Sequence, residues 1–149
     1  MQVNAWKKLK EQVNNATLDV FLSSCWPLGI TNNGNSPDDP RLLQCGNLEI
    51  ARATRELKPR YHFAGLEQKH YERRPYKNKS EAKNLQITRF IALANVGNPN
   101  KEKYLYAFNI TPGELTAKVP EDCTETPFPD EAASRAKGNV LTHAGKAAN

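Results

Sequence analysis

Residues 88–110, TRFIALANVGNPNKEKYLYAFNI, constrain the fold of this chain more than any other stretch. Two β-prone runs, 89–96 and 103–110, flank a polar loop holding Gly97, Asn98, Pro99 and Asn100. That pattern predicts a β-hairpin with a loop longer than two residues. In the second run Tyr104, Tyr106 and Phe108 fall on one face, with Leu105, Ala107 and Ile110 largely on the other. Both faces of the resulting sheet therefore need cover.

At 149 residues the chain is long enough for one domain with its own core and too short for two comfortable ones. A mean hydropathy of -0.72 with 38% hydrophobic residues fits a soluble protein with polar segments. No apolar run approaches the roughly 20 residues that span a bilayer, so no membrane role is expected. The start, MQVNAWKKLKEQVNN, lacks the apolar stretch of a secretory signal. Cys25, Cys45 and Cys123 are widely spaced and form no CxxC pair, which argues for reduced thiols in an intracellular protein. The sequons at Asn15, Asn78 and Asn109 are then chance matches. A net charge of +5 allows an acidic partner such as RNA without demonstrating one.

The chain reads as α/β followed by a tail. Trp6, Leu9 and Val13 recur at helical spacing among lysines, predicting a surface helix over 3–14. Residues 18–22 read as a short buried strand, and a loop rich in Asn, Gly and Pro covers 29–40, with Asn33-Gly34 as a turn signal. Asn47 can cap a helix in which Ile50, Ala53, Thr54 and Leu57 share a face. That helix should end before Pro59, and 60–64 reads as another strand. From 112 onward Pro, Thr, Glu, Ala and Lys dominate without periodicity. The expected division is a domain over 1–111 and a linker or disordered tail over 112–149.

Three segments resemble one known family. They are DVFLSSCWP at 19–27 with Gly34-Asn35, KPRYHFAG at 58–65 with YERRPY at 71–76, and RFIALANVGNP at 89–99 with KYLYAF at 103–108. In this order they look like the CwfJ, or Cwf-nineteen-like, splicing-factor family, protein-one type. The match covers about residues 17–112 and is similar to the second half of that family's N-terminal domain. That domain is itself similar to the metallophosphoesterase domain of the RNA lariat debranching enzyme. The resemblance implies a two-sheet sandwich flanked by helices, of which this chain supplies about five strands and two helices. At least one apolar sheet surface should then expect a partner.

Metallophosphoesterases hold two divalent cations on loops at the ends of their sheets, through Asp, His and Asn ligands. The resemblance aligns a ligand histidine with Ser24, an aspartate with Cys25, and a His-x-His pair with Leu66 and Gln68. A serine is a poor donor, a leucine is none, and a glutamine amide is weak. The family's first metal motifs would lie upstream of this sequence, which reads as a fragment or a late-started gene model; Gly34-Asn35-Ser36 is not the Gly-Asn-His turn. The expectation is a pseudoenzyme with no cofactor, no metal and no catalytic residue.

Single residues sharpen this picture. His62, between Tyr61 and Phe63, reads as a hydrogen-bonded core or half-buried histidine. His70 has no second donor nearby to make it a substitute ligand, and His143 lies in the tail. Trp26 is either a packing anchor behind the first strand, the favoured reading, or a ring that stacks on a nucleobase. Cys25 has no assignable His-Asp arrangement that would make it a nucleophile. Residues 69–83 are basic with interleaved tyrosines, and Lys69, Arg73, Arg74, Tyr76 and Lys77 join Trp26 as candidate contacts to RNA or a partner. A solvated charged face is the ordinary alternative.

The family resemblance implies a non-catalytic interaction module, nuclear, acting late in pre-mRNA splicing and in lariat turnover. Its implied partners are the lariat debranching enzyme and late spliceosome components, with RNA as a further candidate. The alternatives are a divalent-metal phosphodiesterase on RNA or a nucleotide, and a plain RNA-binding domain.

Overall fold

A computed structural model of the chain describes residues 5–13, 16–79, 85–116 and 118–129. Within them two α-helices, α1 (Ala5–Val13) and α2 (Leu48–Leu57), accompany five strands of one sheet. The strands are β1 (Val20–Ser23), β2 (Tyr61–Ala64), β3 (Tyr71–Glu72), β4 (Tyr76–Lys77) and β5 (Ile87–Ala92). A short 3-10 turn covers Pro40–Leu43. The architecture is mixed α/β, as the sequence predicts, with one sheet among the described residues.

The core of the sheet is parallel, β1 to β2 to β5. Its register sets two faces. Phe21, His62 and Phe90 form one row, and Ser23, Ala64 and Ala92 the next, all on the same side. Helix α2 and Trp26, Ile30, Leu42 and Phe128 cover that side. Val20, Tyr61 and Arg89 begin the opposite face, followed by Leu22, Phe63 and Ile91.

Asn47 starts α2 as anticipated, its side-chain oxygen accepting from the amides of Glu49 at 2.8 Å and Ile50 at 3.1 Å. Lys58 ends it in the left-handed conformation, φ 49°, directly before Pro59. Gly46 makes the start of this helix possible. A Cβ there would lie 2.7 Å from the Leu28 amide nitrogen, because the chain after Trp26 runs close beside the helix cap.

Strands β3 and β4 lie end to end along one edge of β5, antiparallel to it. Between the pairs Glu72–Ile91 and Tyr76–Thr88, three residues (Arg73, Arg74, Pro75) oppose two (Arg89, Phe90). This is a β-bulge. The extra residue shifts the alternation, so Tyr71 and Tyr76, five positions apart, both enter the core under Trp26 and Phe128.

The predicted hairpin is corrected. Its first run is β5, but residues 103–110 form no strand, and one backbone bond, Ala94 N to Lys103 O at 2.9 Å, joins the two. The reason is that β5 already has β2 on one side and β3 and β4 on the other, leaving no free edge to pair. Residues 103–110 instead cross the second face. There Phe108 sits 4.6 Å from Tyr61 and Tyr106 5.6 Å from Phe63, ring centre to ring centre. Tyr104 remains 50% exposed and Leu105 71%.

Composition also under-read part of the range 112–149. Residues 124–128 form a strap along β4: Thr124 N donates to Pro75 O at 2.8 Å and Lys77 N to Thr124 O at 3.0 Å. Asn33 Nδ2 holds Thr126 O at 2.9 Å, and Phe128 is buried edge-on to Tyr76. One buried aromatic and the carbonyls of Thr124, Thr126 and Pro127 tie down a segment whose composition looks like linker. Residues 130–149, like the predicted helix ends at 3–4 and 14, lie outside the described residues.

Phe128→Ala should lower unfolding stability by about 3–5 kcal/mol, the usual cost of removing a buried aromatic ring. Urea denaturation of the full chain checks this, and an unchanged midpoint would show that the strap is not part of the cooperative fold.

Candidate functional site

Ligands of parallel sheets bind beyond the carboxyl ends of the strands. Here that edge is built from residues 24–26 after β1, 65–70 after β2 and 93–102 after β5. The loops are tied to one another. Leu66 N donates to Ser24 O at 2.9 Å and Leu93 N to Ala64 O at 3.0 Å. Ser24 and Leu66, two of the positions that the resemblance aligns with metal ligands, are thus neighbours. Gln68, the third, is exposed on a turn with φ 57°, its amide bonded to Gly65 O at 3.1 Å.

Beneath this edge lies a buried polar chain. Ser23 Oγ donates to Cys25 O at 2.7 Å, so it accepts from His62 Nε2, also 2.7 Å away. Thr54 Oγ1, bonded to Ile50 O at 2.8 Å, stands 3.3 Å from His62 Nδ1. His62 is the core histidine that the sequence suggests, with no exposed surface. Burial pulls its pKa down to about 3, because the imidazolium would lose its hydration. The Ser23 proton is spent on a carbonyl and the histidine is a weak base, so the pair orders the loop instead of forming a nucleophile.

The outer rim is ionic. Glu102 receives Lys69 Nζ on one oxygen at 2.7 Å and the His70 amide on the other at 3.0 Å. The Lys69 hydrogen bond, then that of His70, lowers the Glu102 pKa below the ordinary value. Asn98 closes the loop around it, accepting from Glu102 N at 2.8 Å and donating to Glu102 O at 2.9 Å. The sequence reading named Asn98 only as a loop residue and did not name Glu102; an Asn four positions before a carbonyl it caps was the available signal.

The donor set does not fit the two-cation centre of a metallophosphoesterase. The three positions that the resemblance aligns with its ligands, Ser24, Leu66 and Gln68, hold a hydroxyl, an alkyl chain and an amide. Among the described residues no group of three or more His, Cys, Asp or Glu side chains is placed to hold a metal ion. The His70 ring lies 3.6 Å from a Glu72 carboxylate oxygen.

The six candidate contact residues divide. Trp26 is fully buried, stacked 5.3 Å from Tyr71 and edge-on to Phe90 at 5.4 Å, so it anchors the loop and offers no ring to a base. Tyr76 is fully buried as well, and Arg73 is 3% exposed. Trp26 is thus the packing anchor that the sequence reading favoured, while the contact assignments of Arg73 and Tyr76 are corrected by the bulge, which turns both inward. Lys69 is neutralised by Glu102, and Lys77 lies 3.7 Å from Glu125. Arg74 is exposed, with its amide fixed by Asn35 Oδ1 at 2.8 Å. Over its described residues, 69–79, the basic segment is therefore not one continuous cationic strip. Reading by spacing also passed over Arg89, the cation in the otherwise apolar or hydroxylic strand Ile87–Ala92.

The fold and this edge define a mixed α/β domain with a parallel core, whose carboxyl-end loops carry Ser24 and the exposed Leu66 at positions that the resemblance aligns with metal ligands. The comparisons place it further. The chain is 46% identical over 131 residues to CWF19-like protein 1 of Mus musculus, covering 83% of this chain and 24% of that protein. It is 47% identical over 118 residues to the Homo sapiens protein of the same name (74% and 22%). Over 150 residues it is 40% identical to the Caenorhabditis elegans homolog (88% and 27%). The chain belongs to the Cwf-nineteen-like protein-one family and spans about a quarter of the length of the curated relatives it matches. No protein-family model matches it. Among the described residues no helix is long and apolar enough to cross a membrane.

The buried histidine gives a pH prediction. Its folded pKa lies below the 6.5 of a free histidine, so the unfolded chain binds the extra proton. Its contribution is fully present above pH 6.5 and is lost as pH falls toward 3, at up to about 1.4 kcal/mol per pH unit. Denaturation of wild type and His62→Gln between pH 4 and 7 should show a slope that the variant lacks. Equal slopes would contradict the assignment.

Proposed function

We propose that this chain is a non-catalytic, metallophosphoesterase-like interaction module of a spliceosome-associated protein. It acts in the nucleus, in pre-mRNA splicing and in intron lariat turnover with the debranching enzyme and late spliceosome components. The observation that carries the reading is the juxtaposition of Ser24 and Leu66 at the carboxyl ends of β1 and β2. A scaffold that keeps its loops in place while presenting a serine and a 56% exposed leucine is suited to contact and ill suited to metal chemistry. The name shared by the relatives supports the splicing assignment, and the resemblance of the three segments supports the phosphodiesterase ancestry.

Affinity capture of the whole protein from nuclear extract, with and without nuclease, tests this. The reading predicts that the debranching enzyme and late spliceosome proteins are retained after RNA is destroyed. Their loss with nuclease would favour a plain RNA-binding domain. In parallel, bound manganese, zinc and iron should be substoichiometric and a 2′,5′-linked dinucleotide should stay intact. Stoichiometric metal with turnover would overturn the non-catalytic reading in favour of a phosphodiesterase.

A further inference from the structure

The amino ends of β2 and β5, opposite to the site just described, carry a second cluster. Arg89 stands across the parallel ladder from Tyr61, and its amide donates to Arg60 O at 2.9 Å. Arg60, Tyr61, Arg89, Glu114 and Lys118 line a cavity of about 230 Å³ on the second face of the sheet. Three cations thus surround one acid.

The cations are not equivalent. Arg60 is engaged, donating to Asp19 Oδ1 at 2.6 Å and to Thr111 O at 2.7 Å. Glu114, with its side chain 60% exposed, only reaches Arg60, at 4.0 Å. Arg89 and Lys118 have no hydrogen-bond acceptor or carboxylate partner among the described residues. Arg89 is half-buried on a strand fixed between β2 on one side and β3 and β4 on the other, with buried Ile87 and Ile91 beside it. A guanidinium placed there offers five donors in a fixed fork, with little ordering left to do when an anion arrives. Tyr61 gives the cavity a rigid wall, its ring held 4.6 Å from Phe108.

We propose that this cavity binds a phosphate group, with Arg89 as the bidentate donor and Lys118 as the second charge. At about 230 Å³ it is smaller than the roughly 300–1,000 Å³ of sites that enclose a drug-sized ligand. It therefore takes the phosphate and leaves the rest of the molecule outside. The phosphate can come from an RNA backbone or from a free nucleotide. The inference is independent of whether the carboxyl-end loops catalyse anything.

The test titrates the full chain with inorganic pyrophosphate, AMP and a single-stranded oligouridylate, at low and moderate salt. Wild type should bind pyrophosphate saturably and more weakly as salt rises. Arg89→Gln should weaken binding about tenfold or more and Lys118→Gln about threefold, while the double variant Arg74→Ala/Lys77→Ala binds as wild type. Should Arg89→Gln fail to fold, Lys118→Gln, on an exposed segment, decides. If RNA is the source, the oligonucleotide follows the same variants and pyrophosphate displaces it. If a nucleotide is the source, AMP binds more tightly than the oligonucleotide and the oligonucleotide does not displace it. No saturable pyrophosphate binding by wild type, or undiminished binding by Lys118→Gln, would overturn the assignment.

Discussion

The buried guanidinium of Arg73 is the interaction on which the rest of this structure depends. It donates to the carbonyls of Ile30, Asn32 and Arg74 and to Thr124 Oγ1, and it lies over the Tyr76 ring at 4.9 Å. One side chain thereby joins the loop after Trp26, the bulged edge of the sheet and the strap at 124–128. Burial lowers its pKa by stripping the charge of hydration, and among the described residues no carboxylate pairs with it. Carbonyl dipoles and an aromatic face do that instead. Even the turn opposite is shaped for it: a Cβ at Gly34 would meet the guanidinium carbon at 3.1 Å. Lysine could not serve, because its three donors leave from one point.

Much of the scaffold was legible in local sequence. Asn47 and Pro59 bracket α2, and the run around His62 reads as a strand, because capping and periodicity are local properties. What escaped was tertiary. Nothing local in 103–110 says that β5 has no free edge, so a strand-like run became a cover for Tyr61 and Phe63. The inward turn of Arg73 depends on one extra residue in an edge strand, and a charge run read by composition cannot reveal it. The docking of Phe128 depends on Asn32, Asn33 and Tyr76, which lie far away in the chain.

The same contrast runs through the candidate sites. At the carboxyl ends of the strands backbone hydrogen bonds tie the loops together, while the side chains presented are Ser24, Leu66 and Gln68. A hydrogen-bonded His62 supports that edge from below and takes no part in its surface. The cations that sequence offers to a partner are partly consumed within the fold: Arg73 by carbonyls, Lys69 by Glu102, Lys77 by Glu125. On the second face, Arg89 and Lys118 line one cavity and have no carboxylate partner among the described residues.

The account rests on the claim that Arg73 is a structural tie and not a ligand contact. Amide hydrogen exchange on Arg73→Lys, combined with denaturation, addresses it most directly. Loss of protection should occur together at residues 30–34, along 71–78 and at 124–128, with stability reduced by about 3 kcal/mol or more. Unchanged protection and stability, accompanied by weakened binding of RNA or a protein partner, would contradict it.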